Sequence, residues 1–430
     1  MATIADLDGR QMKAVEKERA NKKHSELREG EDIAPFLSIN HGPQKRPDRF
    51  QILSRLPAKS VVRFKSVCKQ WLALASDPVF LAAHTRCSPL TVSGLLIQDS
   101  FRGNLFSFSV DGGASPVLPD PSLSSLDHRF GDGGPLHVLQ SCNGLLLCTK
   151  PGQMLSKSHI LLNPTTMQYR QIPNPPTDLY SNKYQFMLAF DPSTSLQYRI
   201  ACLSSNITLP SFDPTTHVEI YSSDTSAWEL SRETVPGGSI SQKGVYWNGA
   251  LHWITENAFV VSFDVEQQVV KTTWLPSGDR GGTLLYFGES RGHLHLIETG
   301  DGKDSSYVDW MHFQVFEMGK DNASWSLLHI VDLCQVWDVY GYMYPTPCFE
   351  NALGISSDWS FRAAPVFFAR GGRGEDDMVY LISPEKIVCC NLADRTCRRI
   401  FAMNSRITLR PFWSFKTIQC FPFAHSLFSP

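Results

Sequence analysis

ILLNPTTMQYRQIP, Ile160 to Pro173, reads as an apolar strand, a polar turn and a second strand ending in Ile-Pro. Five other segments share that form: LFSFSVDGGASPVLP from Leu105, VEIYSSDTSAWELS from Val218, VVSFDVEQQVVKTTWLP from Val260, FQVFEMGKDNASWSLL from Phe313 and IVCCNLADRTCRRI from Ile387. Between them lie further strand signals, GLLLC at Gly144, GALHWIT at Gly249 and GHLHLIE at Gly292. A unit of about 40–50 residues that holds several strands is what a propeller blade requires. Each blade buries its faces only against its neighbours, so the ring has to close. The repeat predicts six blades, and the interval from Phe313 to Ile387 leaves room for a seventh. A pair of packed sheets is the alternative that strand alternation alone does not exclude. Trp228, Trp274 and Trp325 sit at corresponding places in the repeats and are expected in the core between blades.

Composition agrees with a mainly β chain. Of 430 residues, 42% are apolar and only 19% charged, which argues against extensive disorder. The 29 Gly, 27 Pro and 11% aromatic residues favour short strands joined by turns. A net charge of −2 leaves no electrostatic footprint for nucleic acid or an anionic membrane, so protein or a small ligand is the expected partner class. Eleven cysteines with no C-x-x-C pair, no signal-like apolar segment and no membrane-length apolar run predict reduced thiols in the cytosol or nucleus.

Ahead of the repeats the pattern is different. Residues 1–48 mix charges of both signs with little periodicity and read as a solvated or frayed helix followed by a flexible lead-in. From Phe50 to Arg86 the apolar residues fall at helical spacing, and Val61, Phe64, Cys68, Trp71 and Ala75 step by three and four onto one face. Ser60 is a plausible N-cap after Pro57, and Asp77 followed by Pro78 repeats the logic. Two or three short helices are expected. About 40 residues cannot bury much alone and should lean on a partner or a neighbouring domain.

QILSRLPAKSVVRFKSVCKQW, Gln51 to Trp71, resembles the F-box through Ile52, Leu53, Leu56, Pro57, Ser60, Val61, Arg63, Phe64, Val67, Cys68, Lys69 and Trp71. Downstream, SCNGLLLC (Ser141–Cys148), NPTT (Asn163–Thr166), AFDPST (Ala189–Thr194) and WNGALHWIT (Trp247–Thr255) are similar to phrases of the F-box-associated region of plant F-box proteins. The resemblance implies a lead-in over 1–48, an F-box over 49–87 and a propeller over 90–425. It implies a substrate receptor that binds a Skp-type adaptor, and through it a cullin, and presents a protein substrate for ubiquitination. The adaptor contacts it implies are Phe50, Ile52, Leu53, Leu56, Pro57, Val61, Phe64, Val67, Cys68 and Trp71. One departure stands out: KRPDRF, Lys45 to Phe50, lacks the early Leu-Pro with which that family's first helix opens, so only Phe50 replaces those apolar contacts. Two other readings follow, a binding protein that has lost its adaptor and a propeller enzyme.

No catalytic phrase supports the enzyme reading, and no cofactor is expected. His293 and His295 share one face of a strand, but no ligand at suitable spacing completes a metal site; His252 reads as an ordinary strand position. GGRGEDD at Gly371 lacks the Gly-Lys-Ser/Thr ending of a phosphate loop and reads as a mobile hairpin. QVWDVYGYMYPTP, Gln335 to Pro347, is the candidate substrate contact: Trp337, Tyr340, Tyr342 and Tyr344 cluster around Gly341 and Pro345. Their alternation also fits a half-buried strand.

Overall fold

Three polar turns of the repeat are closed by their own first side chains. Asn163 Oδ1 accepts from the Thr165 N–H at 2.8 Å, Asp264 Oδ1 from Gln267 N–H at 2.8 Å, and Asn391 Oδ1 from Ala393 N–H at 2.8 Å. Four residues after the turn opens the chain takes the left-handed conformation, at Met167 (φ 57°), Ser226 (φ 55°), Gln268 (φ 55°) and Arg395 (φ 60°). Tighter two-residue turns, Asn143-Gly144, Asn248-Gly249 and Arg291-Gly292, have positive φ at both positions. Such turns match the twist of an antiparallel pair. Local chemistry thus makes a series of hairpins.

The computed structural model describes residues 49–88, 90–99, 103–113, 117–120, 122–127, 134–150, 158–177, 182–206, 215–236, 244–278, 282–299, 312–321, 323–333, 364–382, 386–402 and 418–430. The chain divides into Met1–Asp48 and Arg49–Pro430, and all described residues belong to the second unit. Four helices come first: α1 (Arg49–Leu53), α2 (Ala58–Phe64), α3 (Lys69–Leu74) and α4 (Pro78–Cys87). Strands β1 (Val92–Asp99) and β2 (Leu105–Ser109) follow, then a short α5 (Ser124–Asp127). Blade I holds β3 (His137–Cys142), β4 (Leu145–Lys150), β5 (Ser158–Asn163) and β6 (Gln168–Ile172). Blade II holds β7 (Asn182–Ala189), β8 (Arg199–Asn206), β9 (Thr215–Ser222) and β10 (Ala227–Leu230), with β11 (Val235–Pro236) on β9. Blade III is β12 (Val245–Trp247), β13 (Ala250–Ile254), β14 (Phe259–Asp264) and β15 (Val270–Trp274). Blade IV is β16 (Leu284–Ser290), β17 (His293–Thr299), β18 (His312–Met318) and β19 (Trp325–Asp332). Blade V is β20 (Ala364–Ala369), β21 (Met378–Ile382), β22 (Lys386–Asn391) and β23 (Cys397–Ala402). Blade VI is built from both ends of the unit: β24 (Ile418–Ala424) pairs β1, and β1 pairs β2. The ring has six blades.

The inner strands β24, β3, β7, β12, β16 and β20 all run the same way. Their final residues meet across the seams: Ser141 Oγ donates to Pro422 O at 2.6 Å, Asn143 Nδ2 to Phe190 O at 2.7 Å, Trp247 Nε1 to Gly292 O at 2.8 Å, and Arg370 N to Ser290 Oγ at 3.0 Å. Two buried amides stitch the ring further inside. Gln98 donates to Leu136 O at 2.8 Å and accepts from Val138 N at 2.8 Å; Gln140 donates to Leu188 O at 3.0 Å and accepts from Leu188 N at 2.7 Å. Each side chain supplies a donor and an acceptor to the backbone of a neighbouring segment. Apolar clusters fill the seams, such as Leu96, Leu146, Leu162 and Phe423 between blades VI and I.

Three expectations need correcting. The segment from Leu105 forms β2 alone, because Val117 and Leu118 sink into the core beside Gly94 instead of pairing. The tryptophans divide: Trp274 is 54% exposed at the rim, while Trp228 and Trp325 pack half-buried against the cores between blades, Trp228 Nε1 donating to Pro173 O at 2.9 Å and Trp325 Nε1 to Trp274 O at 3.1 Å. An indole N–H needs an acceptor, and the carbonyls that end the previous blade provide it. Cys390 and Cys397, opposite each other across β22 and β23, are joined by a disulfide, against the expectation of thiols throughout.

Replacing Gln140 by Leu removes both of its bonds and strands a buried backbone N–H and C=O of blade II. Urea unfolding should show a loss of about 2–4 kcal/mol, against less than about 1 kcal/mol for Gln197→Ala at an exposed turn.

Candidate partner-binding site on the helices

Pro57 starts α2 from an extended conformation (φ −55°, ψ 143°), with no side-chain cap, so Ser60 lies inside the helix and does not cap it. Asp77 does cap α4, accepting from Val79 N at 2.7 Å and Phe80 N at 3.4 Å, with Pro78 in the first turn. The single face expected from Val61 to Ala75 is broken after Phe64. Cys68 is extended (φ −159°, ψ 164°) and starts α3. Phe64 and Trp71 still meet edge to face, with ring centroids 4.8 Å apart.

Leu53, Ala58, Val61, Ala75 and Phe80 form the helical core together with Leu427, from the segment after β24. His84 is buried and its Nε2 lies 2.8 Å from Leu56 O. A carbonyl only accepts, so Nε2 carries the proton; burial lowers this histidine's pKa and keeps the ring neutral.

The residues expected to face an adaptor therefore separate. Leu53 (2% exposed) and Val61 (0%) belong to the interior and offer no contact surface. Phe50, Leu56, Phe64 and Trp71 are partly buried against that core, and Phe50 packs edge to face on Phe80 at 5.4 Å. Ile52 (47%), Pro57, Val67 (63%) and Cys68 face outward. Leu72 (48%) and Val79 (71%) join them, and sequence reasoning missed both. Each sits one position off an inward-facing i, i+4 pair, Trp71–Ala75 and Phe80–His84, and that offset was the available signal. The surrounding charge is one-sided: Arg49, Arg55, Lys59, Arg63, Lys65, Lys69 and Arg86 stand against Asp77 alone between Arg49 and Cys87.

Elsewhere the polar clusters serve the ring. Glu317 accepts from His293 Nδ1 at 3.2 Å, His295 Nε2 at 3.3 Å and Arg370 Nε at 3.2 Å. Asp377 binds His329 Nε2 at 2.7 Å, Arg370 and the Gly371 N–H. Burial pushes the Asp377 carboxyl up, but His329, Gly371 and Arg370 outweigh it and hold it at about 2. The GGRGEDD loop is thus pinned across the seam of blades IV and V. Among the described residues no group of His, Cys, Asp and Glu is placed to hold a metal ion. Burial pushes the Cys142 and Cys148 thiols up to about 12, which leaves them protonated and unreactive at neutral pH. Trp337, Tyr340, Tyr342 and Tyr344 lie outside the described residues.

Comparison with known proteins bears on both parts. A family profile described as "F-box associated beta propeller domain" matches residues 96–334, and one described as "F-box-like" matches 49–86. The Arabidopsis thaliana "F-box protein At5g07610" is 28% identical over 88% of this chain and 90% of its own length. From the same plant, "F-box protein At5g49610" is 27% identical over 66% of this chain and 77% of its own. The "Putative F-box/kelch-repeat protein At3g17570" is 29% identical over 58% and 61%.

Two interior histidines make the fold acid-sensitive. His252 and His295 are both 0% exposed, with Nδ1 unpartnered, and burial pushes each down to about 4 despite the Trp247 carbonyl and Glu317. The unfolded chain takes up these protons near pH 6.5 and the folded chain only near 4. Stability is therefore complete above about pH 6.5 and is lost as pH falls toward 4, by up to about 1.4 kcal/mol per pH unit for each ring. Urea midpoints measured from pH 7.5 to 5 should fall, and His252→Gln should flatten that slope; equal slopes would contradict the assignment.

Proposed function

Because this chain belongs to the F-box proteins that carry an F-box-associated β-propeller, we propose that it is the substrate-receptor subunit of a Skp–cullin–F-box ubiquitin ligase. The observation that carries the reading is the outward apolar set Ile52, Val67, Leu72 and Val79, on helices whose sequence holds seven Lys and Arg against one Asp and which are seated upon a closed propeller. Apolar side chains left in water on so small a helical unit mark a partner groove. A Skp-type adaptor occupies it, with Pro57 and Cys68 at its border, and the adaptor carries the cullin. Members of this family are typically non-catalytic. The receptor's contribution to ubiquitin transfer is proximity: it raises the local concentration of substrate lysines near the charged enzyme.

The substrate sits on the face away from the helices. Val92 at the start of β1 pairs with Ala424 at the end of β24, so the helices join the ring where the inner strands end. The short turns gather on that side too. The inner strands begin on the opposite side, where the fourth strands β10, β15, β19 and β23 end. A protein client occupies that side, and its ubiquitination leads to proteasomal degradation. No described helix is long and apolar enough to cross a membrane, and the reading places the protein in the cytoplasm or nucleus.

A second reading keeps support from one side chain. Phe50, the only replacement for the missing Leu-Pro contacts, turns inward onto Phe80. Without those contacts the protein would bind a client with no adaptor attached.

Binding of the whole protein to a purified plant Skp-type adaptor decides between them. The first reading predicts capture that weakens as salt rises. It also predicts a roughly 10- to 100-fold loss for Ile52→Asp or Val79→Asp, the loss of one buried apolar anchor. A wild-type chain that fails to bind while its propeller is folded selects the second reading.

A further inference from the structure

Segment 425–430 leaves the ring directly beneath the helices, since Ala424 pairs with Val92 and α4 ends at Cys87. Two adjacent side chains of this segment go in opposite directions. Leu427, 4% exposed, enters the helical core beside Leu53, Val61 and Phe80. Phe428 enters the core of blades I and II, with its ring centroid 4.5 Å from that of Phe190.

The backbone between them is clamped by the propeller. Asn163, fully buried in the first turn position of the NPTT phrase, donates to Ser426 O at 3.1 Å, Ser426 Oγ at 3.0 Å and Phe428 O at 2.6 Å. Thr165 Oγ1 and His425 Nδ1 are 3.1 Å apart. Gly144 admits no side chain: it has φ +85°, and a Cβ there would lie 2.6 Å from Ser426 and 2.9 Å from Ala424 O. Turn chemistry does not require the Nδ2 contacts of Asn163, because its Oδ1 alone closes the turn.

The helical unit therefore lacks one wall of its own core, and that wall arrives from the far end of the sequence. β24 follows every other strand, and it brings Leu427 into place only by pairing β1. We propose that segment 425–430 is a coupling element that makes the helical partner-binding site conditional on ring closure, with Leu427 completing the helices and Asn163 holding it there. An unclosed ring would leave the helices loose and would not present the Ile52, Val67, Leu72 and Val79 surface in fixed geometry. The consequence for an adaptor rests on the function proposed above; the coupling itself does not.

Hydrogen exchange on the full chain tests it without any adaptor. In Leu427→Ala, amides of residues 49–87 should exchange at least tenfold faster, while amides of β4, β13 and β14 stay within twofold of wild type. Leu427→Met, which conserves volume, should restore the protection of the helices. Helices that exchange at the wild-type rate in Leu427→Ala would overturn the proposal. So would equal acceleration in the helices and all three strands, which would make Leu427 a general core residue. Adaptor binding is a separate readout, so loss of protection in a chain that binds no adaptor would uphold the coupling and remove only the functional reading.

Discussion

Everything in this molecule depends on one pairing, β1 against β24, from Val92↔Ala424 to Asp99↔Ile418. A propeller blade has no stable existence by itself, because its two faces are buried only by neighbours. Blades II to V each come from continuous sequence, and so does blade I. Only blade VI is assembled from two distant segments, and without it blades I and V would each expose an apolar face. The hydrogen bonds of that single ladder thus commit some three hundred intervening residues to a ring. They also bring the helices and segment 425–430 to the same place.

How much of this could be read from the sequence follows from the range of the forces involved. The outer hairpins were legible because they are local: an Asn or Asp opens the turn, bonds an amide two residues on, and a left-handed residue ends it. The Asn-Gly turns were legible for the same reason. The closing blade was less so. The segment from Leu105 has the form of a hairpin, but Val117 finds a better place over Gly94 than in a ladder, and only tertiary packing decides that. The tryptophans recur at a spacing that suggested a core, which Trp228 and Trp325 half enter while their N–H groups reach carbonyls of the preceding blade, and Trp274 stays outside.

The helical site was legible in part. The F-box phrase located it, and the buried stripe was correct for Val61 and Ala75. Which side chains remain outside was not, since Leu53 and Leu72 are chemically alike and differ only in what lies across from them. Leu427 could not have been assigned to the helices by any local rule, being separated from them by the entire propeller. The seam of Glu317, Arg370 and Asp377 is another long-range construction. It converts His293, His295 and a loop that looked mobile into a fixed contact between blades IV and V.

The common direction of the inner strands has a further consequence. It separates the ring into a side where the chain turns back within a few residues, cemented to the helices, and a side where it travels farther between blades. Insertions on the second side need not disturb Gln140 or Asn163, whose contacts belong to the inner seams and to the first side. Sequence change can therefore accumulate on the second side while the packing that joins the first side to the helices stays intact.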